Sequence, residues 1–166
     1  IVKLLLKHKD VNVNHQDHGG VTALMSASFF GRVDTVKALL EHGDLDPNIP
    51  FFHAMGVKDH TSQGWYGSVA LHGACSNGQP DVVKLLVQDK RTNVNMASSM
   101  LYTPLHTAAW YGNVECVKEL LAHPHIAVNS MDKIGHTPLW CASCIFHKNQ
   151  EIQTLLRARG GTKSFF

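Results

Sequence analysis

The string Thr103-Pro104-Leu105-His106-Thr107-Ala108-Ala109 recurs in variant form along the chain, and this repetition limits the possible folds more than any other property. The other copies are Thr22-Ala23-Leu24-Met25-Ser26-Ala27, Val69-Ala70-Leu71-His72-Gly73-Ala74 and Thr137-Pro138-Leu139-Trp140-Cys141-Ala142. The steps from 69 to 103 and from 103 to 137 are both 34 residues. Each copy is followed by a second apolar pattern: Val36-Lys37-Ala38-Leu39-Leu40, Val83-Lys84-Leu85-Leu86-Val87, Val117-Lys118-Glu119-Leu120-Leu121 and Ile152-Gln153-Thr154-Leu155-Leu156. Units of this size cannot bury their own apolar faces. They must stack on neighbours, which gives an elongated array without a central core.

Local chemistry sets the helix ends within each unit. A Thr can cap free backbone amides while a following Pro has its φ preset, so first helices are expected to begin at Pro104 and Pro138. Gly31, Gly78 and Gly112 suit the left-handed residue that closes a helix. Asp34, Asp81 and Glu115 then fall where a second helix opens and complement its positive end. Polar segments ending in Val13-Asn14, Pro47-Asn48, Val94-Asn95 and Val128-Asn129 separate the units and read as hairpin fingers.

Together these motifs resemble the ankyrin repeat over nearly the whole chain. The resemblance implies an all-α solenoid of stacked helix-turn-helix repeats with β-hairpin fingers. One domain is expected over residues 1–161, with a partial repeat at 1–14, repeats at 15–48, 49–95, 96–129 and 130–161, and a tail at 162–166. The partial unit has no first helix, so a piece of a longer protein is expected. By the same resemblance His72 and His106 link neighbouring fingers to helix starts, and the concave face of first helices and fingers receives a protein partner. The expected contacts are His18, Val21, Phe29, Met100, Tyr102, Trp110, Met131 and His136, joined by Trp65 and Tyr66.

Three departures from the pattern individualise the chain. Asn48 to Val69 spans 21 residues where the corresponding steps are 8, which places 13 extra residues in the second finger, among them the aromatic Phe51-Phe52 and, close by, Trp65-Tyr66. Apolar loops of that length are functional or docked more often than free. In the fourth repeat one residue is added between the helices and the closing glycine is missing, with Asn149 expected to take the left-handed conformation in its place. The Cys141-x-x-Cys144-x-x-His147 spacing there would put three side chains on adjoining turns of one helix. A structural zinc needs four ligands and no second pair follows, so the cysteines read as core filler. Finally, aromatic pairs Phe29-Phe30 and Trp110-Tyr111 precede the closing glycines, with Phe29 and Trp110 expected to be exposed and Phe30 and Tyr111 to pack between repeats.

The remaining features narrow the function classes. There is no 18-residue uncharged apolar run, and a net charge of +2 with acids and bases interspersed is too small for a nucleic-acid footprint. Four cysteines without a framework of spacings point to reduced thiols in the cytoplasm or nucleus. His8, His42 and His123 follow the Leu pairs, where a cationic ring would suit a helix end. Phosphate-binding loop, nucleophile elbow and zinc-protease motifs do not occur, so no enzyme, no cofactor and a monomeric binding module are expected. Two alternatives remain at this level. One is a structural spacer in a larger protein. The other, implied by the resemblance, is a substrate of an asparaginyl hydroxylase acting at Asn48, Asn14 or Asn129: Leu40 lies eight residues before Asn48, with Asp46 two before it.

Overall fold

The computed structural model describes residues 1–51, 66–144 and 149–163. These residues form nine helices in paired succession: α1 (Val2–Leu5), α2 (Ala23–Phe29), α3 (Val33–Leu40), α4 (Ala70–Ser76), α5 (Pro80–Gln88), α6 (Pro104–Trp110), α7 (Val114–Ala122), α8 (Pro138–Cys141) and α9 (Gln150–Ala158). The first helices α2, α4, α6 and α8 stack on one another in one layer, and the second helices α3, α5, α7 and α9 stack in another. The apolar positions that repeat in the sequence fill the space between the layers. Leu24, Leu71, Leu105 and Leu139 meet Val36, Val83, Val117 and Ile152, all almost fully buried. At about 25 cal/mol per Å2, each such leucine contributes roughly 2 kcal/mol of burial.

Capping follows the residue types at the helix starts. Thr22, Thr103 and Thr137 are extended, and their hydroxyls accept from the backbone N–H three residues on. Val69 has no hydroxyl, so only the returning half of that arrangement survives there, with Val69 N–H donating to His72 Nδ1 at 3.2 Å. Pro104 and Pro138 open their helices, and Gly31, Gly78 and Gly112 close the first helices with φ of +66°, +63° and +74°. Asn149 differs from expectation. It has φ −115° and is the N-cap of α9, its side chain accepting from Ile152 N–H. It takes the place of Asn113, one step past the closing glycine, and does not replace the glycine itself.

Two ladders of side-chain bonds tie the units together. Each finger asparagine clamps the next unit's loop through both ends of its carboxamide. Asn14 Nδ2 donates to the Asp44 carbonyl and its Oδ1 accepts from Asp46 N–H. Asn48 does the same with Arg91 and Asn93, Asn95 with His125 and Ala127, and Asn129 with Gly160 and Thr162. The second ladder runs through His72 and His106, whose Nε2 atoms donate to the carbonyls of Tyr102 and His136 in the following finger. At the far end Thr162 completes the pattern, because its carbonyl accepts from the Thr137 hydroxyl at 2.6 Å. Thr162, the first residue of the expected tail, is bonded to the array through both Asn129 and Thr137.

The fingers are tight turns more than hairpins. Among the described residues the only strand-type pairing is an isolated bridge between Gln16 and Thr22. Asp17 N–H to Val21 carbonyl, Ser98 to Tyr102 and Asp132 to His136 close the other limbs, which are too short to extend a ladder. The 13-residue insertion falls largely on residues 52–65, which lie outside the described set, Trp65 among them. Its base is closed: Phe51 N–H donates to the Ser68 carbonyl at 2.7 Å and Gly67 N–H to the Phe51 carbonyl at 2.8 Å. Chain therefore leaves and re-enters at one point, and α2 stacks on α4 as the other first helices stack on theirs. Gly67 has φ +76°, and a Cβ there would sit 3.0 Å from the Ser99 backbone nitrogen. Gly67→Ala is expected to lower stability by about 1–2 kcal/mol, read by urea denaturation, because the left-handed backbone and the neighbouring main chain both oppose the methyl.

The fourth unit corrects a further expectation. Helix α8 ends at Cys141, so Cys144 lies just beyond it, and His147 lies outside the described residues. The histidines after the Leu pairs bond into the turns that follow them. Nδ1 of His8, His42 and His123 each accepts from the backbone N–H two residues on, at 3.3 Å.

Candidate functional site

An apolar groove of about 340 Å3 opens between α2 and α4. Val21, Met25, Phe29 and Phe30 line one side, Val69, Ala70 and Gly73 the other, and Phe51 stands at the base of the insertion. The second unit carries smaller residues on this side than its neighbours do. Ser76-Asn77 replaces the aromatic pair, and Gly73 holds the place of Ser26 and Thr107; a Cβ added at Gly73 would sit 3.6 Å from Phe29 Cβ. Phe29 and Phe30 meet edge to face at 5.2 Å between ring centres. Phe30 is the more exposed of the pair, at 61% against 40%. Phe29 is exposed as expected, but Phe30 does not pack between repeats: Phe29 is the last helical residue, while Phe30 already turns outward as the cap. In the third unit the expectation is reversed outright, with Tyr111 exposed and Trp110 packed partly against the core.

A second cluster sits between the third and fourth fingers. Tyr102 and His136, each placed before a helix-start Thr, come together with His106, Asp132, Trp140 and Cys141. The His136 ring stacks on Trp140 with centroids 3.4 Å apart and planes 6° from parallel. Its Nδ1 is 3.2 Å from the Asp132 carboxylate, whose other oxygen accepts from Ile134 and His136 N–H. Trp140 occupies the position of His72 and His106, so the fourth unit exchanges an imidazole link for this stack. Burial pushes the Tyr102 phenol well above its ordinary range, with the charges of Cys141 and Asp132 adding to it. Cys141 is pushed up to about 12 by burial, then by Asp132 and Cys144, and Cys116 to about 11 by burial. Cys75 is raised too, by burial and by Cys116. These thiols stay protonated at neutral pH and are inert filler, not nucleophiles. Among the described residues no three His, Cys, Asp or Glu side chains gather closely enough to hold a metal ion.

The remaining expected contacts are spread along the finger tips. His18 is exposed on the first tip. Tyr66 is half-buried, and its carbonyl accepts from Ser99 N–H. Met100, also half-buried, accepts from Lys133 N–H through its carbonyl, which laces the third tip to the fourth, where Met131 is exposed. The asparagines named for modification, Asn14, Asn48 and Asn129, all have both carboxamide ends engaged between units. Sequence reasoning passed over Met25, Phe30, Phe51, Leu101 and Ile134. Leu101 had a visible signal. It stands where Gly20 and Gly135 stand in other fingers and adopts φ +59°, a left-handed backbone that disfavours a side chain by about 1–2 kcal/mol.

A family model described as ankyrin repeats in three copies matches residues 1–51, 50–132 and 71–163. The chain belongs to the ankyrin repeat family. It is 38% identical over 112 residues, 66% of its length, to SMC5-SMC6 complex localization factor protein 1 of Bos taurus. To neurogenic locus notch homolog protein 1 of Homo sapiens it is 30% identical over 150 residues, 90% of its length. Alpha-latrotoxin-Lh1a of Latrodectus hasselti is 37% identical over 73 residues, 44% of the chain. The chain spans 10% of the first of these proteins and 5% of each of the others. Ankyrin repeats are protein-interaction modules and typically non-catalytic. Among the described residues no helix is long and apolar enough to cross a membrane.

Proposed function

We propose that this chain binds a partner protein along its concave face, with the groove between α2 and α4 taking an apolar side chain of that partner. The observation that carries the reading is the groove itself, whose three phenylalanine walls flank a stretch of small residues. A volume of about 340 Å3 admits one or two large side chains. The helices that form it are held by stacked neighbours, so little conformational freedom is lost on docking. Val21 and Phe29 act inside the groove. Trp110, Tyr102 and His136 extend the surface across the later units, with Tyr66 and, outside the described residues, Trp65 joining them from the insertion. The chain acts as a monomer in the cytoplasm or nucleus, a placement that four unpaired thiols support. One relative is named as a localisation factor for a protein complex, in keeping with a module that brings a partner into an assembly.

The test uses a partner captured from lysate by the intact chain, re-expressed and titrated. Phe29→Ala is expected to weaken its affinity about tenfold, the ordinary size of a buried aromatic anchor. Gly73→Leu, which fills the groove from the other wall, should do the same with the melting temperature retained. Unchanged affinity in both variants removes the groove from the interface. The asparagine clamps account for Asn14, Asn48 and Asn129 structurally, so the hydroxylase alternative gains no observation of its own.

A further inference from the structure

The third and fourth finger tips carry an apolar ridge that the fold does not need. Leu101 is 47% exposed and Ile134 68% exposed, and the bond from Lys133 N–H to the Met100 carbonyl at 3.1 Å sets the two tips side by side. Leu101 is the one non-glycine residue with positive φ among the described residues, at a position where three other fingers use Gly20, Gly67 and Gly135. Glycine would relieve the backbone and remove an exposed leucine at once. Strain kept at an exposed apolar residue, with no stabilising return in the fold, is the pattern of a recognition element.

The charges around the ridge say what it meets. Residues 96–110 hold no carboxylate, and residues 130–144 hold only Asp132, which is buried and turned inward onto Ile134 and His136 N–H. Exposed Lys133 lies between Met131 and Ile134, and Lys163 follows Thr162, which is bonded to Thr137 at the base of the same finger. The first finger is unlike this, because its equivalent Asp17 is exposed.

The geometry points to these two tips as a docking ridge for an acidic segment of a partner protein, with an aliphatic or aromatic anchor seated on Leu101 and Ile134 and carboxylates flanking it toward Lys133. This deepens the reading of the chain as a protein-interaction module and rests on it, while standing apart from the groove between α2 and α4. A random twelve-residue peptide library displayed on phage, panned on the immobilised chain, tests it. The recovered consensus is then made as a fluorescein-labelled peptide and titrated by anisotropy.

The expected consensus carries Leu, Ile, Met or Phe with Asp or Glu on either side. Its affinity should fall about tenfold for Leu101→Gly and for Lys133→Glu and stay unchanged for Phe29→Ala. Leu101→Gly should melt at or above the wild-type temperature, which separates loss of an anchor from loss of fold. A consensus without acidic residues, failure to recover binders, unchanged affinity for Leu101→Gly, or a lowered melting temperature for that variant each overturns the proposal. Peptides lost on Phe29→Ala but retained by Leu101→Gly would do so while leaving the groove reading standing.

Discussion

Acidifying the protein from pH 7 to pH 4 is expected to remove about 3 kcal/mol of stability through His72 alone. His72 is almost fully buried, its Nδ1 accepts from Val69 N–H, and its Nε2 donates to the Tyr102 carbonyl. A carbonyl at one nitrogen and an N–H at the other fix a neutral ring, since a second proton would point at a donor. Burial is the main cause of a pKa lowered from 6.5 to about 4; the Tyr102 carbonyl opposes it and His106 adds to it. The unfolded chain therefore binds a proton through this window that the folded chain refuses. Stability is fully present above about 6.5 and falls as pH drops toward 4, by about 1.4 kcal/mol for each unit of pH.

His106 adds to the same loss. It too is lowered, first by burial, and has the same pair of partners in Thr103 N–H and the His136 carbonyl. Asp17 and Asp89 are lowered as well, by backbone bonding to Val21 and by the Arg91 side chain respectively, and their contributions fade only at lower pH. Urea denaturation at pH 7, 5 and 4 measures the slope. His72→Gln should begin less stable at pH 7 and show a flatter profile between 6.5 and 4. A wild-type profile that is level over that range would contradict the neutral, buried assignment.

The array was legible because its information is repeated. Thr-Pro starts, glycine stops and paired leucines at one period leave few alternatives, and the helices begin and end where those residues stand. What was not legible depends on where a side chain points after the helix has ended. Phe29 and Phe30 are equivalent by composition; only the position of the last helical turn decides that Phe29 faces α4 and Phe30 faces solvent. Each finger asparagine reaches into the following unit, a relation at separations of 30 residues or more that local pattern does not encode. The groove is likewise a property of two units together. In sequence Gly73 is only one small residue of its motif; it becomes a groove wall because Phe29 of the preceding unit stands opposite it.

Arg91 shows how one such long-range contact sets the strength of a single junction. Its position corresponds to Asp44 and His125 in other units, and neither of those carries a guanidinium. The Arg91 fork donates to the carbonyls of Leu40, His42 and Leu45 at 2.7, 3.0 and 3.1 Å, at the open end of α3 in the preceding unit. Asp89 holds the fork in place through both carboxylate oxygens. Helix C-termini leave unpaired carbonyls and a negative dipole end, so a planar cation with several donors satisfies both at once. The side chain is about a third exposed, which tempers each bond. Taken together, Arg91→Ala is expected to lower stability by about 2–3 kcal/mol, within the range for charged hydrogen bonds.

Arg91→Lys discriminates the geometric account from a purely electrostatic one. Lysine keeps the charge but cannot span three carbonyls and a carboxylate, so it should recover less than half of the loss in urea denaturation. Asp89→Asn should cost less than Arg91→Ala, because the carbonyl contacts survive when only the orienting partner is weakened. Full rescue by lysine would assign the effect to charge at the helix end alone. The junction concerned is the one between the first two complete units, where the long insertion interrupts the finger and where the apolar groove opens. Loss of the clamp should therefore loosen α2 against α4, and binding in the groove should weaken in Arg91→Ala although Arg91 does not line it.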